Sequence, residues 1–174
     1  MIPEIEVTCG DKRIFINSVT MEQYKKYVSL MEKNESDQVE DAIFYNKKII
    51  QEMFGNRMSI EEIGEMNAID FLTSAKKIHS VMQDIITPKL LTLVETEQVE
   101  REESAFDEYD IENGYEEEQQ EDSLWKICGE IIERVIKITI RLLKESYSQC
   151  MQEDIMELLD YLKFELETID EKQM

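Results

Sequence analysis

The run ETEQVEREESAFDEYDIENGYEEEQQED, residues 95–122, decides how the chain is divided. It holds fourteen acids (Glu95, Glu97, Glu100, Glu102, Glu103, Asp107, Glu108, Asp110, Glu112, Glu116, Glu117, Glu118, Glu121, Asp122) and one base, Arg101, a net of −13. Apolar periodicity is clear on both sides and nearly absent inside. Such a segment buries too little apolar surface to offset its ordering entropy, and its like charges repel. It reads as a solvated tether between residues 1–94 and residues 123–174. The alternative is a charged helix end that runs into a long loop.

The 174-residue chain has a formal charge of −21 and a length suited to one domain, or a domain with an appendage. Without the tether, the remaining residues carry only −8. Phosphate contacts need clustered Lys and Arg, so binding to nucleic acid or to an anionic membrane surface is disfavoured. Residues 1–20 show no secretory apolar region, and no apolar run is long enough to span a bilayer. Cys9, Cys128 and Cys150 are odd in number and widely spaced, as in a reducing compartment. A cytoplasmic protein is expected.

The predicted fold is mainly α, of the α+β class. Ile5 and Val7 alternate with polar neighbours, as do Ile14 and Ile16 beyond Cys9-Gly10-Asp11-Lys12, which predicts an N-terminal β-hairpin. Thr20 with Gln23 forms a capping box before a helix bearing Tyr24, Tyr27, Val28 and Met31 on one face. Asn34 to Asp37 breaks it. A second helix, about Val39 to Phe54, carries Val39, Ala42, Ile43, Ile49, Ile50 and Met53, with Gly55 after it as a stop. Ser59 with Glu62 is another capping box and opens a short helix. Phe71, Ala75, Ile78, Met82 and Ile85 mark a long helix that Pro88 kinks or restarts.

Beyond the tether, Asp122 or Ser123 caps a strongly amphipathic helix. Leu124, Cys128, Ile131, Val135, Ile138 and Leu142 form a seam widened by Trp125, Ile127, Ile132, Ile136, Ile140 and Leu143. Its polar stripe runs Lys126, Glu130, Glu133, Arg134, Lys137, Arg141, Lys144 and Glu145. A last helix, about Glu153 to Ile169, completes a C-terminal αα-hairpin. A hairpin of this size cannot bury its apolar faces alone. It requires the N-terminal half, a second copy or a partner. Trp125, Ile132, Ile136 and Leu143 are the candidate partner-binding residues. Trp125 is the first choice as an anchor, with a core tryptophan as the alternative.

Residues for catalysis are scarce. His79 is the only histidine, on an apolar helical stretch that favours a structural role. No nucleophile elbow and no glycine-rich phosphate loop is present. With Gly114 at the sixth position of a calcium loop, Tyr109 and Ile111 fall at ligand positions and Gln120 replaces the bidentate Glu. Zinc ligands at short spacing are absent. No catalytic, cofactor or metal site is expected, so the chain reads as a non-enzyme. Phe106, Tyr109, Ile111 and Tyr115 within the acids are either a short recognition motif or a loosely docked segment.

The order of elements, with Asn46-Lys47-Lys48-Ile49-Ile50-Gln51-Glu52-Met53-Phe54-Gly55, Met58-Ser59-Ile60-Glu61-Glu62-Ile63 and Met151-Gln152-Glu153-Asp154-Ile155-Met156-Glu157-Leu158-Leu159-Asp160-Tyr161-Leu162, resembles the tail assembly chaperones of long-tailed bacteriophages of Gram-positive hosts. The resemblance covers most of the chain in layout and rests on no signature motif. It implies a short form and a longer frameshifted form that share an N-terminal domain. That domain would coat the tape measure protein, and the extension would recruit tail tube subunits in the cytoplasm of the bacterial host. It also implies residues 1–94 as the shared domain, residues 123–174 as the extension, and a homo-oligomer. Two other readings stay open: an acidic phage inhibitor mimicking DNA, and a bacterial adaptor or regulatory subunit.

Overall fold

A computed structural model describes residues 2–9, 12–34, 39–54, 57–95, 123–144 and 146–173. The expected turn at Gly10, the break after Asn34, the Gly55 stop, the calcium-loop comparison and the aromatic motif lie outside these residues. So does the acidic tether, apart from Glu95.

The hairpin forms as its alternation predicts. Strand β1 (Ile5–Cys9) pairs antiparallel with β2 (Lys12–Ile16), Ile5 opposite Ile16 and Val7 opposite Ile14. A period of two puts these four on one face and Glu6, Thr8, Arg13 and Phe15 on the other. The apolar face covers helix α4 (Ala68–Ser80), where Lys77 Nζ donates to the Glu6 carbonyl at 2.8 Å. Two strands alone are marginal in water, and this packing supplies the missing burial.

Helix α1 (Met21–Lys33) starts at the predicted capping box, with the Gln23 amide donating to Thr20 Oγ1 at 3.2 Å and Gln23 Oε1 accepting from the Thr20 amide at 2.9 Å. Helices α2 (Val39–Phe54) and α3 (Ile60–Gly64) follow. The stretch before Pro88 is a π-helical turn, Val81–Ile86, leading into α5 (Thr87–Glu95). Proline has no amide hydrogen, and its ring would press on the carbonyl four residues back. The wider turn absorbs this, and Thr87 bonds Met82 O through both its amide and its hydroxyl, the latter at 2.8 Å. Tyr24 in turn donates to Thr87 Oγ1 at 2.7 Å, so this buried polar cluster is satisfied.

The C-terminal span holds three helices where the sequence predicts a hairpin of two. They are α6 (Leu124–Leu143), a short α7 (Tyr147–Gln152) and α8 (Ile155–Gln173). Ser146 and Gln149 form a further capping box that starts α7. Helix α6 lies on α1 and α5, and α8 lies on α5. Of the three possible covers for the wide apolar arc, the N-terminal half is the one observed. Buried residues from Ile2 to Leu90 and from Cys128 to Leu162 make one hydrophobic core.

Backbone bonds tie the spans as well. The Met21 amide donates to Glu153 O at 3.0 Å, and the Ile155 amide donates to Val19 O at 2.9 Å, around an antiparallel bridge between Thr20 and Asp154. Lys25 pairs with Glu133, and Lys89 with Asp160. These ion pairs are exposed on at least one side and contribute little beside the apolar burial.

Candidate functional site

Helices α2, α3 and α4 enclose an apolar cleft of about 330 Å3, lined by Ile43, Lys47, Ile63, Gly64, Met66, Ala68, Phe71 and Leu72. Local sequence sets each wall. The Ser59–Glu62 capping box fixes the start of α3, and Glu62 also pairs with Lys12 of β2. Ile63 is thereby held as the buried floor. Asn67 caps α4, its Oδ1 accepting from the Asp70 amide at 2.9 Å. Ala68, Phe71 and Leu72 then share one face through the helical three- and four-residue spacing.

Large apolar side chains stand open to water at this cleft. Leu72 of the lining is 64% exposed, and Ile69, next in sequence to Ala68 of the lining, is 77% exposed. Ile43 and Phe44 of α2 are also exposed, and Lys48 Nζ lies 5.2 Å from the Phe44 ring centroid. An isolated exposed apolar residue is ordinary, whereas several around one concavity mark a binding surface. Such a cleft can take the apolar stripe of a helix.

Behind it, α1, α2 and α4 are pinned by a polar chain. Asn46 Nδ2 donates to Ala42 O at 2.8 Å, which orients its amide so that Oδ1 accepts from His79 Nε2 at 2.7 Å. His79 Nδ1 therefore accepts from the Tyr27 hydroxyl, at 2.9 Å. Both ring nitrogens are engaged, and burial lowers the His79 pKa. The Tyr24 and Tyr27 hydroxyls are pushed well above the usual phenol range by burial. This chain is a structural clamp across three helices, and its burial favours the neutral form of the histidine.

The four predicted partner-binding residues are spread along α6. Ile132 and Ile136 are fully buried in the chain's own core. Leu143 is half-buried against that core. Trp125 is half-buried too, its ring edge-on to Tyr27 with centroids 5.7 Å apart. Trp125 and Leu143 are eighteen residues apart, roughly 27 Å along the axis, so the four form no single site. Sequence reasoning missed Leu72 of the lining, and the exposed Phe44 and Ile69 next in sequence to Ile43 and Ala68 of that lining. Their signal was being apolar on the water-facing side of an amphipathic helix.

A second cleft, of about 350 Å3, is polar and lies where α1, α2 and α7 meet. Its charges are met internally: Lys26 by Glu22 and Glu52, and Glu22 also by Gln152. Among the described residues, no group of three or more His, Cys, Asp or Glu is placed to hold a metal ion. No helix among them is long and apolar enough to cross a membrane. No protein-family model, curated protein or solved structure matches this chain.

Proposed function

We propose that this protein is a non-enzymatic assembly chaperone of the phage tail type, holding an apolar stripe of a helical client in the α2–α3–α4 cleft. The observation that carries this reading is the exposure of Ile43 and Leu72 in the lining of one apolar concavity, with Phe44 and Ile69 exposed next in sequence to lining residues. A chaperone for a long helical polypeptide needs such a surface, and a charge of −21 keeps a protein that exposes one soluble. The non-enzyme reading draws support from the sole histidine, committed at both nitrogens to Tyr27 and Asn46. The client would be the tape measure protein, with tail tube subunits recruited by the same chain acting as a homo-oligomer in the host cytoplasm.

The test is capture from lysate of the protein's own host or lysogen, with full-length chain and with the double variant Ile69→Asp, Leu72→Asp. Recovery of a very long helical polypeptide or a tail tube subunit by the parent, and its loss in the variant, is the expected result. Equal recovery by both proteins would remove the cleft from the proposal. Recovery of a nuclease, polymerase or other DNA-binding protein in its place would favour a DNA mimic or an adaptor.

A further inference from the structure

We infer that the outer face of α6 is a second docking surface, built for an acidic amphipathic helix of a partner protein. Arg134, Lys137, Arg141 and Lys144 are all exposed and follow one another at helical spacing of three, four and three. They form a row of cations roughly 15 Å long. None forms a salt bridge with a described residue, although acids outnumber bases 40 to 19 in the chain. On the same side of α6, Glu130 is exposed and Glu133 is already paired with Lys25.

An apolar shoulder runs beside the row. Ile138, half-buried, and Leu142, exposed, lie beside the row, and the exposed Ile127 and Leu124 carry the strip on toward the start of α6. Cations at three- and four-residue spacing beside an apolar strip complement a helix that carries carboxylates at the same spacing beside its own apolar strip. Charge selects against the other polyanions. A nucleic acid or an anionic bilayer reaching beyond the row would meet the negative remainder of a −21 chain within a Debye length of about 10 Å. The chain's own run 95–122 supplies carboxylates, but Phe106 with Tyr109 and Ile111 with Tyr115 would lie as two short pairs on opposite helical faces, so they make no continuous strip to cover the shoulder.

The experiment uses full-length protein and a labelled synthetic helix with Glu at three- and four-residue spacing beside a Leu strip. The matching Glu→Lys peptide, a twenty-nucleotide single-stranded DNA and vesicles containing phosphatidylserine serve as comparisons. Fluorescence anisotropy should show binding to the acidic helix alone. Affinity should fall at least about tenfold in Arg134→Glu, Lys137→Glu, Arg141→Glu, whose circular dichroism melt stays that of the parent. Absence of binding, equal binding by the triple variant, or tighter binding of the DNA or the vesicles would overturn the inference. So would binding seen only once Glu112, Glu116, Glu117, Glu118 and Glu121 are changed to Gln, because the chain's own acids would then be the occupant. A dimer by light scattering that the triple variant abolishes would make the occupant a second copy, and would overturn it too.

Discussion

Tyr27 and Trp125 meet edge to face, their centroids 5.7 Å apart and their planes at 86°. The contact joins α1 to the first turn of α6, and so joins the two spans on either side of the acidic run. Trp125→Ala should destabilise the protein by about 3 kcal/mol, and Trp125→Phe by much less, because the ring edge is largely kept. Thermal unfolding measures both. Trp125 is the only tryptophan in the chain, so a red-shifted emission at temperatures below global unfolding would report separation of α6 from α1.

The Tyr24–Thr87 bond carries a second prediction. Thr87→Val removes the hydroxyl that accepts from Tyr24 and donates to Met82 O, leaving a buried phenol without its partner. Its cost should be roughly 1–3 kcal/mol. Tyr24→Phe keeps the Thr87–Met82 bond and should cost about 1 kcal/mol. Denaturant titration of the two variants checks the order. Equal costs would mean that the Tyr24 hydroxyl finds another acceptor, for which the Cys128 thiol beside it is placed.

His79 sets a pH dependence. Its folded pKa lies below the unfolded value of about 6.5, so the unfolded chain takes up the proton first as pH falls. The stabilisation is fully present above pH ~6.5 and is lost as pH falls toward the folded pKa. Protonation would also turn Nδ1 into a donor facing the Tyr27 hydroxyl, which now donates to it. His79→Gln should flatten the stability profile between neutrality and about pH 5, relative to the parent. Identical slopes in urea unfolding across that window would reject this account.

Lys144 ends α6 in the left-handed region, at φ 56° and ψ 28°. A side chain there costs about 1 kcal/mol or more relative to glycine. Lys144→Gly should therefore raise the melting temperature by about 2–4 °C. A drop would show that the Lys144 side chain makes a stabilising contact that outweighs the strain.

Much of this architecture is legible in the residues because local and global signals agree. The hairpin alternation, the Thr20 and Ser59 capping boxes and the long seam of α6 each correspond to an observed element. Helix α7 was overlooked although Ser146 and Gln149 repeat the same capping pattern, since six residues show no apolar periodicity. The π-helical turn was hidden because Phe71, Ala75, Ile78, Met82 and Ile85 keep their spacing through it; only Pro88 hinted at it. The cleft was illegible for a different reason. Ile43 fits the apolar pattern of α2 and yet is exposed, and burial at that position depends on how far α4 stands away. Periodicity shows which face of a helix is apolar, and spacing between helices is a tertiary property.

The antiparallel bridge between Thr20 and Asp154 gives the protein a timetable. The entry to α1 meets backbone partners made only after some 130 further residues, as the Gln152–Glu22 bond in the same corner also requires. At ordinary bacterial or eukaryotic synthesis rates that is a wait on the order of ten seconds. Until then Tyr24, Tyr27 and the α5 face have no cover from α6 and must be guarded by something else, or left sticky. A product released early on the ribosome would keep that stickiness for its whole lifetime.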